Sequence, residues 1–253
     1  MKSPPISQAE IEKRIGPHLD ELLALWWAEQ GAAKTRDLKL IATVLPFPRD
    51  QSLRVLDLCC GPGDVGRAIR LVYPKAQIDC VDRDPFLTAI CKGVNRRDDI
   101  PGRIITEDLE NDDWRTDLLT GYNVVATANA LHWFDIPRVG ALMRQVHALL
   151  RSGGVFVFAE PASPETPFVA GFEGWKAKQP ARYSRENWER FWSRANAILG
   201  YDHIKLLGER PASRIDDEAS VADWIDLLEK ADFEHIDVLL RDQDEVIIAA
   251  VKA

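Results

Sequence analysis

Leu53-Arg54-Val55-Leu56-Asp57-Leu58-Cys59-Cys60-Gly61-Pro62-Gly63-Asp64-Val65-Gly66 is the stretch whose reading decides the fold. Its apolar start, Leu53 to Leu58, reads as a strand. The chain then makes a glycine turn and enters a helix expected near 64–72. Where a strand gives way to a helix, the helix N-terminus offers unpaired N–H groups and the positive end of its dipole. Glycines at that point let a ligand lie against the backbone. A turn of this kind holds a nucleotide-like ligand at the edge of a parallel sheet.

Outward from the turn, strands and helices alternate. Strands are expected at 77–82, 103–107, 122–128 and 155–160, with helices near 85–93 and 136–150 and a break at Gly153-Gly154. This alternation predicts a doubly wound, mostly parallel α/β sheet with helices on both faces. A helix near 217–231 and strands at 234–241 and 245–251 close the chain, with Asp242-Gln243-Asp244 as a tight hairpin turn. The sheet therefore has seven strands and ends in an antiparallel pair. Before the core, residues 7–45 carry helical periodicity (Leu19, Leu22, Leu23, Trp26, Trp27). Gly31 is expected to end one helix, and a second runs from Lys34 to Leu45, stopped by Pro46 and Pro48. The chain divides into a helical cap (1–50), a ligand-binding core (51–160), an aromatic-rich lid insertion (161–216) and a closing helix and hairpin (217–253).

With 253 residues, the chain is long enough for one α/β domain with additions. Its formal charge of −8 argues against nucleic acid as a partner, which needs clustered Lys and Arg. No apolar run reaches the ~20 residues that span a bilayer, so no membrane partner is expected. The start, Met-Lys-Ser-Pro-Pro-Ile-Ser, has no apolar signal region, so a cytoplasmic location is expected. Of the four cysteines, Cys59 and Cys60 are adjacent and no Cys-x-x-Cys occurs, so reduced thiols and no metal are expected. No heptad repeat speaks to oligomeric state.

Gly61-x-Gly63-x-x-Gly66, with Asp82 21 residues after Gly61, matches the dinucleotide fingerprint and by itself points to NAD. Three features oppose it. Asp57, at the end of the first strand, would repel a pyrophosphate but suit a cofactor carrying an ammonium and a sulfonium. Asp108, after the third strand, can accept from an adenine amino group. A C-terminal antiparallel hairpin is not how the dinucleotide fold ends.

From 53 to 160 and again from 217 to 251, the chain resembles the class I S-adenosylmethionine-dependent methyltransferases of small molecules. The resemblance rests on Val-Leu-Asp-Leu-Cys-Cys-Gly-Pro-Gly, Val-Asp-Arg-Asp-Pro, Glu-Asp-Leu, Asn-Ala-Leu-His-Trp-Phe, Leu-Leu-Arg-Ser-Gly-Gly and Leu-Leu-Glu-Lys-Ala-Asp-Phe, in that order. It implies a Rossmann-like methyltransferase fold with S-adenosyl-L-methionine as cofactor. Asp57 and the turn from Cys59 through Gly61 to Gly63 would face the methionine half. Asp82 would bind the ribose, with Arg83 beside the adenine. Asp108 would hold the adenine amino group, with Leu109 against the ring. Asn129 and Ala130 would line the cofactor after strand four. One departure is Cys59, which stands where the family usually has Gly.

Methyl transfer mainly requires the nucleophile to be brought in line and close, with a base where a proton must leave. The loop after strand four carries His132, the candidate base, because an unperturbed imidazole titrates near pH ~6.5. A histidine that only buttresses the loop is the alternative. Trp133 beside it and Trp188 and Trp192 in the lid are candidate substrate contacts. Trp188, Phe191, Trp192, Ala195, Ile198 and Leu199 form an apolar stripe that suits a lid or ordinary core packing. Arg182, Arg185, Arg190 and Arg194 could clamp an acceptor carboxylate or form a solvated face. The loop lacks Asn/Asp-Pro-Pro-Tyr, which speaks against DNA adenine methylation. The expected function is methyl transfer to an O, N or C atom of a small organic acceptor. The alternatives are an NAD-dependent oxidoreductase and a non-catalytic S-adenosylmethionine-binding protein.

Overall fold

The computed structural model describes residues 5–164, 168–178, 184–207 and 219–253, and the side chains of all of these except 29–33 and 169–170. Seven strands form a single sheet in the order β3-β2-β1-β4-β5-β7-β6. The strands are β1 (Arg54–Leu58), β2 (Gln77–Asp82), β3 (Ile104–Thr106), β4 (Tyr122–Ala128), β5 (Leu150–Pro161), β6 (Glu234–Asp242) and β7 (Glu245–Val251). β1 pairs in parallel with β2 on one side and β4 on the other. The chain thus builds outward from β1 to β3, then returns to lay β4 and β5 on the other flank. β7 inserts antiparallel between β5 and β6, which gives the reversed hairpin the sequence predicts.

Alternation along each strand assigns its side chains to opposite faces. Leu56, Val125 and Phe156 face α5 (Ile136–Leu149) and α9 (Val221–Glu229), where Met143, Trp224 and Leu228 complete one core. Val55, Val124 and Val157 face α2 (Leu19–Thr43) and α3 (Asp64–Val72), where Ile41 and Ile69 complete the other. A third apolar cluster joins α1 (Gln8–Ile15), α2, α4 (Pro85–Arg97) and α7 (Arg185–Leu199) through Ile11, Leu22, Trp26, Phe86, Phe191 and Trp192.

Among the departures from the sequence reading, which include α4 running on to Arg97 and α9 beginning at Val221, two have clear causes. α2 runs through Gly31 without a break, and the N-terminal interruption falls instead at the short 3-10 turn Gly16–His18. A helical glycine costs only about 1 kcal/mol against alanine. Pro17 removes a backbone donor and clashes with the preceding turn, so it interrupts more strongly. β5 begins at Leu150, five residues before the expected start, because Leu150 pairs with Tyr122 and a register shift follows between Tyr122 and Val124. Gly153, at φ +68, sits inside that irregularity and bends the strand.

Within 161–216, the described residues form α6 (Val169–Lys176), α7 and α8 (His203–Leu207). Ser184 caps α7 by accepting from the Asn187 N–H, and Gly200 closes it at φ +78. α7 lies along α2, so it joins the N-terminal helices in one layer beside α4.

Candidate active site

The strand order reverses between β1 and β4, and in such sheets the ligand crevice lies at the carboxyl ends of the strands flanking that reversal. Two segments meet there, the turn Cys59–Gly63 after β1 and the loop Asn129–Phe134 after β4.

The turn is held from beneath by two aspartates. Asp82 Oδ2 accepts from the Gly61 N–H at 2.8 Å, and its Oδ1 accepts from the Asp84 N–H at 2.9 Å. Asp57 is fully buried, and its Oδ2 accepts from the Gly66 N–H at 2.8 Å, which pins the first turn of α3 to β1. Its Oδ1 is buried without a hydrogen-bond partner. Burial pushes the Asp57 carboxyl well above its usual range. A buried acid with an unpartnered oxygen beneath a glycine turn suits a ligand that brings positive charge. Gly63 adopts φ +89, and a Cβ there would stand 2.8 Å from Cys91 Sγ. Cys59 itself sits at φ +49, in the left-handed region that the family's usual glycine reaches without strain.

α2 closes over the turn. Trp26 is 8% exposed, its ring would lie 3.5 Å from a Cβ at Gly61, and its Nε1 donates to Asp64 Oδ2 at 2.6 Å. Lys34, also buried, pairs with the same Asp64 oxygen at 3.1 Å. Asp64 and Lys34 were not singled out from sequence. Asp64 follows Gly63 directly, but Lys34 carries no local signal and reaches the site only because α2 folds across it.

The two expected adenine-side residues follow the ends of neighbouring strands, β2 and β3. Asp82 aligns with Thr106, and the Glu107 N–H donates to the Asp82 carbonyl. Arg83 and Asp108 face each other at 3.8 Å, both about one-fifth exposed. Asp108 Oδ1 also accepts from the Glu110 N–H. Arg138, at the start of α5, ties this segment down by donating to the Leu109 and Asn111 carbonyls and the Asp112 carboxylate. Leu109 is 2% exposed and packs in the first core cluster. It therefore forms the floor of this segment.

Glu160 organises the β4 loop. It is fully buried at the end of β5, next to Pro161. Its Oε1 accepts from the Ala130 and Leu131 N–H groups at 2.8 and 2.7 Å. Its Oε2 meets His132 Nδ1 at 2.7 Å and accepts from the His132 N–H at 3.3 Å. A carboxylate only accepts, so Nδ1 carries a proton, and in the neutral imidazole the lone pair is on Nε2. Asn129 is held at φ +56, with its N–H bonded to the Ala159 carbonyl. The Trp133 ring lies 5.2 Å from the His132 ring. Glu160 was not identified from sequence, where it reads as one acid ending an apolar strand.

The lid residues fall differently from the expectation. Trp192 is 7% exposed and packs on Phe86, Phe191 and His203, so it belongs to the core of the cap. Trp188 is 37% exposed and meets Trp26 at 6.1 Å, at the rim of that cluster. Among the described residues the arginines take the second of the two readings, a solvated face. Arg194 pairs with Glu21 on α2, Arg185 with Glu189, and Arg190 donates to Asn187. Long side chains on an exposed helix face find their nearest acids, while Arg182 lies outside the described residues. The open groove between α2 and α7, of about 560 Å³ and lined by Glu21, Leu25, Arg190 and Arg194 among others, is a surface feature away from the strand ends. His203 is fully buried, and its Nε2 lies 2.7 Å from Asp84 Oδ1. That contact ties α8 to the residue whose N–H Asp82 holds.

Residues 28–238 match a family model described as "Methyltransferase domain". A curated relative, trans-aconitate 2-methyltransferase of Mycobacterium ulcerans, is 32% identical over 129 residues, 50% of this chain and 44% of that protein. The Mycobacterium marinum protein of the same name is 30% identical over the same shares. The match thus spans less than half the length of these relatives. Among solved structures, a candidate O-methyltransferase from Nostoc punctiforme is 20% identical at TM-score 0.57, over 86% of this chain and 56% of that one. Human N-acetylserotonin methyltransferase, solved with S-adenosylmethionine, is 14% identical at TM-score 0.54, over 86% and 51%. The two structures share the fold. The family match covers most of the chain and resolves the choice that the glycine fingerprint alone leaves open: this chain belongs to the methyltransferase-domain family of class I, S-adenosylmethionine-dependent proteins.

Proposed function

We propose that this chain transfers a methyl group from S-adenosylmethionine to an O, N or C atom of a small organic acceptor, with His132 as the base where a proton must be removed. The observation that carries this reading is the buried Glu160 carboxylate. It fixes the loop at the switch point and sets the His132 tautomer with Nε2 free to accept a proton.

When bound, S-adenosylmethionine supplies a methyl group already activated by its sulfonium. The chain's residues bind and orient. Asp57 and the turn Cys59–Gly63 take the positively charged methionine end, and Asp82 takes the ribose hydroxyls. Arg83 and Asp108 flank the adenine above the floor that Leu109 provides, and Asn129 and Ala130 line the cofactor from the other side. Trp133 and Trp188 bound the acceptor space, while Trp192 supports Trp188 from within, its ring 5.4 Å away. The N-terminal helices and the 161–216 segment act as cap and lid over the core.

The two mycobacterial relatives are named for trans-aconitate, an organic acid. Small unsaturated carboxylic acids are therefore the first acceptors to try. Neither nucleic acid nor membrane is proposed as a partner: the net charge is −8, and no helix among the described residues is long and apolar enough to cross a membrane. Four cysteines outside any disulfide accord with a cytoplasmic setting.

The test is calorimetry and thermal unfolding with S-adenosylhomocysteine, S-adenosylmethionine and NADH, followed by a screen of small acids, phenols and amines. A ligand at about 100 times its dissociation constant stabilises a fold by about 2.7 kcal/mol. Stabilisation by the first two, lost in Asp82→Ala, together with turnover of an acceptor, is the expected result. Binding with no turnover on any acceptor would leave a cofactor-binding protein. A shift with NADH alone would overturn the cofactor assignment.

A further inference from the structure

Behind the glycine turn, three cysteines from distant parts of the sequence come together. Cys60 lies in the turn itself, Cys80 is on β2 and Cys91 is on α4. Their exposures are 6%, 1% and 0%, and their three Sγ atoms lie within 4.8 Å of one another. A trigonal set of thiolates at about 2.3 Å from a central cation has sulfurs about 4.0 Å apart, so closing this triangle takes only a small contraction. Spacing along the chain hides the site, because each sulfur comes from a different element and no pair falls in a Cys-x-x-Cys.

We propose that Cys60, Cys80 and Cys91 form a binding site for one soft, low-coordinate d10 cation, of the Cu(I) or Hg(II) type. Soft thiolate sets select such ions over the hard cations that prefer oxygen. The triangle supplies three sulfurs, and no His, Asp or Glu among the described residues joins it within that distance. That favours an ion content with three ligands over tetrahedral zinc. On binding, each coordinating thiol that is still protonated loses its proton to solvent as its sulfur–metal bond forms. No change of oxidation state is involved.

The test is anaerobic titration of the full chain with Hg(II) chloride, following sulfur-to-metal charge-transfer absorption, proton release and melting temperature. The expected result is saturation at about one equivalent, a trithiolate absorption band, release of about two to three protons per cation and a higher melting temperature. The Cys80→Ala/Cys91→Ala variant should lose the band, keeping only single-thiolate binding by the remaining cysteines. No trithiolate band in the wild type, or a band undiminished in the variant, would overturn the site. If the variant does not fold, the proton count on the wild type decides, and one proton or none rejects three-sulfur coordination. None of these readouts depends on methyl transfer.

Discussion

Glu160 Oε2 and His132 Nδ1 lie 2.7 Å apart, joining the carboxyl ends of β5 and β4 through a carboxylate that is fully buried. The same carboxylate accepts from three consecutive backbone N–H groups, those of Ala130, Leu131 and His132. One side chain therefore sets both the path of the loop and the tautomer of the imidazole.

Glu160→Gln separates these two tasks. The Gln oxygen still accepts from the Ala130 and Leu131 N–H groups, but its NH₂ faces Nδ1 and forces that nitrogen to become an acceptor. The proton then moves to Nε2, and the base is lost. With a hydroxyl or amine acceptor, kcat should fall by roughly 100-fold, as for His132→Ala, with S-adenosylhomocysteine affinity retained. Steady-state kinetics beside calorimetry check this. Full activity in either variant would reduce His132 to a loop support. Glu160→Ala instead orphans buried donors at about 1–3 kcal/mol each and should be plainly less stable in urea.

Asp57→Asn should trade binding for stability. In the folded chain, burial raises the Asp57 carboxyl, so the folded state favours its protonated form. Such a group leaves stability intact below the unfolded carboxyl value of about 3.9 and erodes it as pH rises toward the folded value. The amide carries no charge and can still accept from the Gly66 N–H. The variant should lack that pH-linked loss, match or exceed the wild type in stability at neutral pH, and bind S-adenosylmethionine more weakly. Urea denaturation across pH and calorimetry read both halves. A variant less stable than wild type at every pH would contradict the burial argument.

What was legible in the sequence follows the local physics. The apolar runs Val55–Leu58 and Val124–Ala126, buried on both faces as parallel strands are, pointed to the sheet, Gly61 and Gly63 between strand and helix to the turn, and Asp242-Gln243-Asp244 to the closing hairpin. Asp57, Asp82 and Asp108 could be named because each sits within a residue or two of a strand end. Glu160, Lys34 and Arg138 could not, because their partners lie 30, 30 and 29 residues away and only the closed sheet brings them together. The apolar stripe of α7 left two readings open for a related reason. A helical stripe such as Phe191-Trp192-Ala195 looks the same whether it faces a ligand or α2. Gly31 misled because a single glycine is a weak breaker inside an otherwise helical run, whereas Pro17 is a strong one.

Asp79 should govern the acid limb of stability. Its burial would raise the carboxyl, but the side chains of Arg103 and Tyr122, donating at 2.6 Å each, outweigh burial and hold it below its usual range. A depressed folded value means that the contribution is present above the unfolded carboxyl range and is lost as pH falls through the folded one. Asp79→Asn should lower stability at neutral pH and flatten the decline on acidification. Parallel slopes for variant and wild type in acid urea titrations would assign that decline to other carboxylates.

Cys59 offers a last test of how the turn works. Its φ of +49 places an L side chain in a region that costs roughly 1–2 kcal/mol, a strain glycine does not carry. Glycine in turn gains freedom in the unfolded chain, worth about 0.5–1 kcal/mol against the fold. The two terms nearly cancel, with the strain somewhat larger. Cys59→Gly should therefore change stability by less than about 1 kcal/mol, on the favourable side. Cys59→Val keeps the strain and adds a β-branched side chain in the worst place for one, so it should be clearly less stable. Because this residue leads into the turn proposed to hold the methionine end, the same pair of variants should rank S-adenosylhomocysteine affinity as Gly at least equal to Cys, and Cys above Val. Should Val bind as tightly as Gly, the backbone at this position would not be what shapes the site, and the departure from the family's glycine would be neutral.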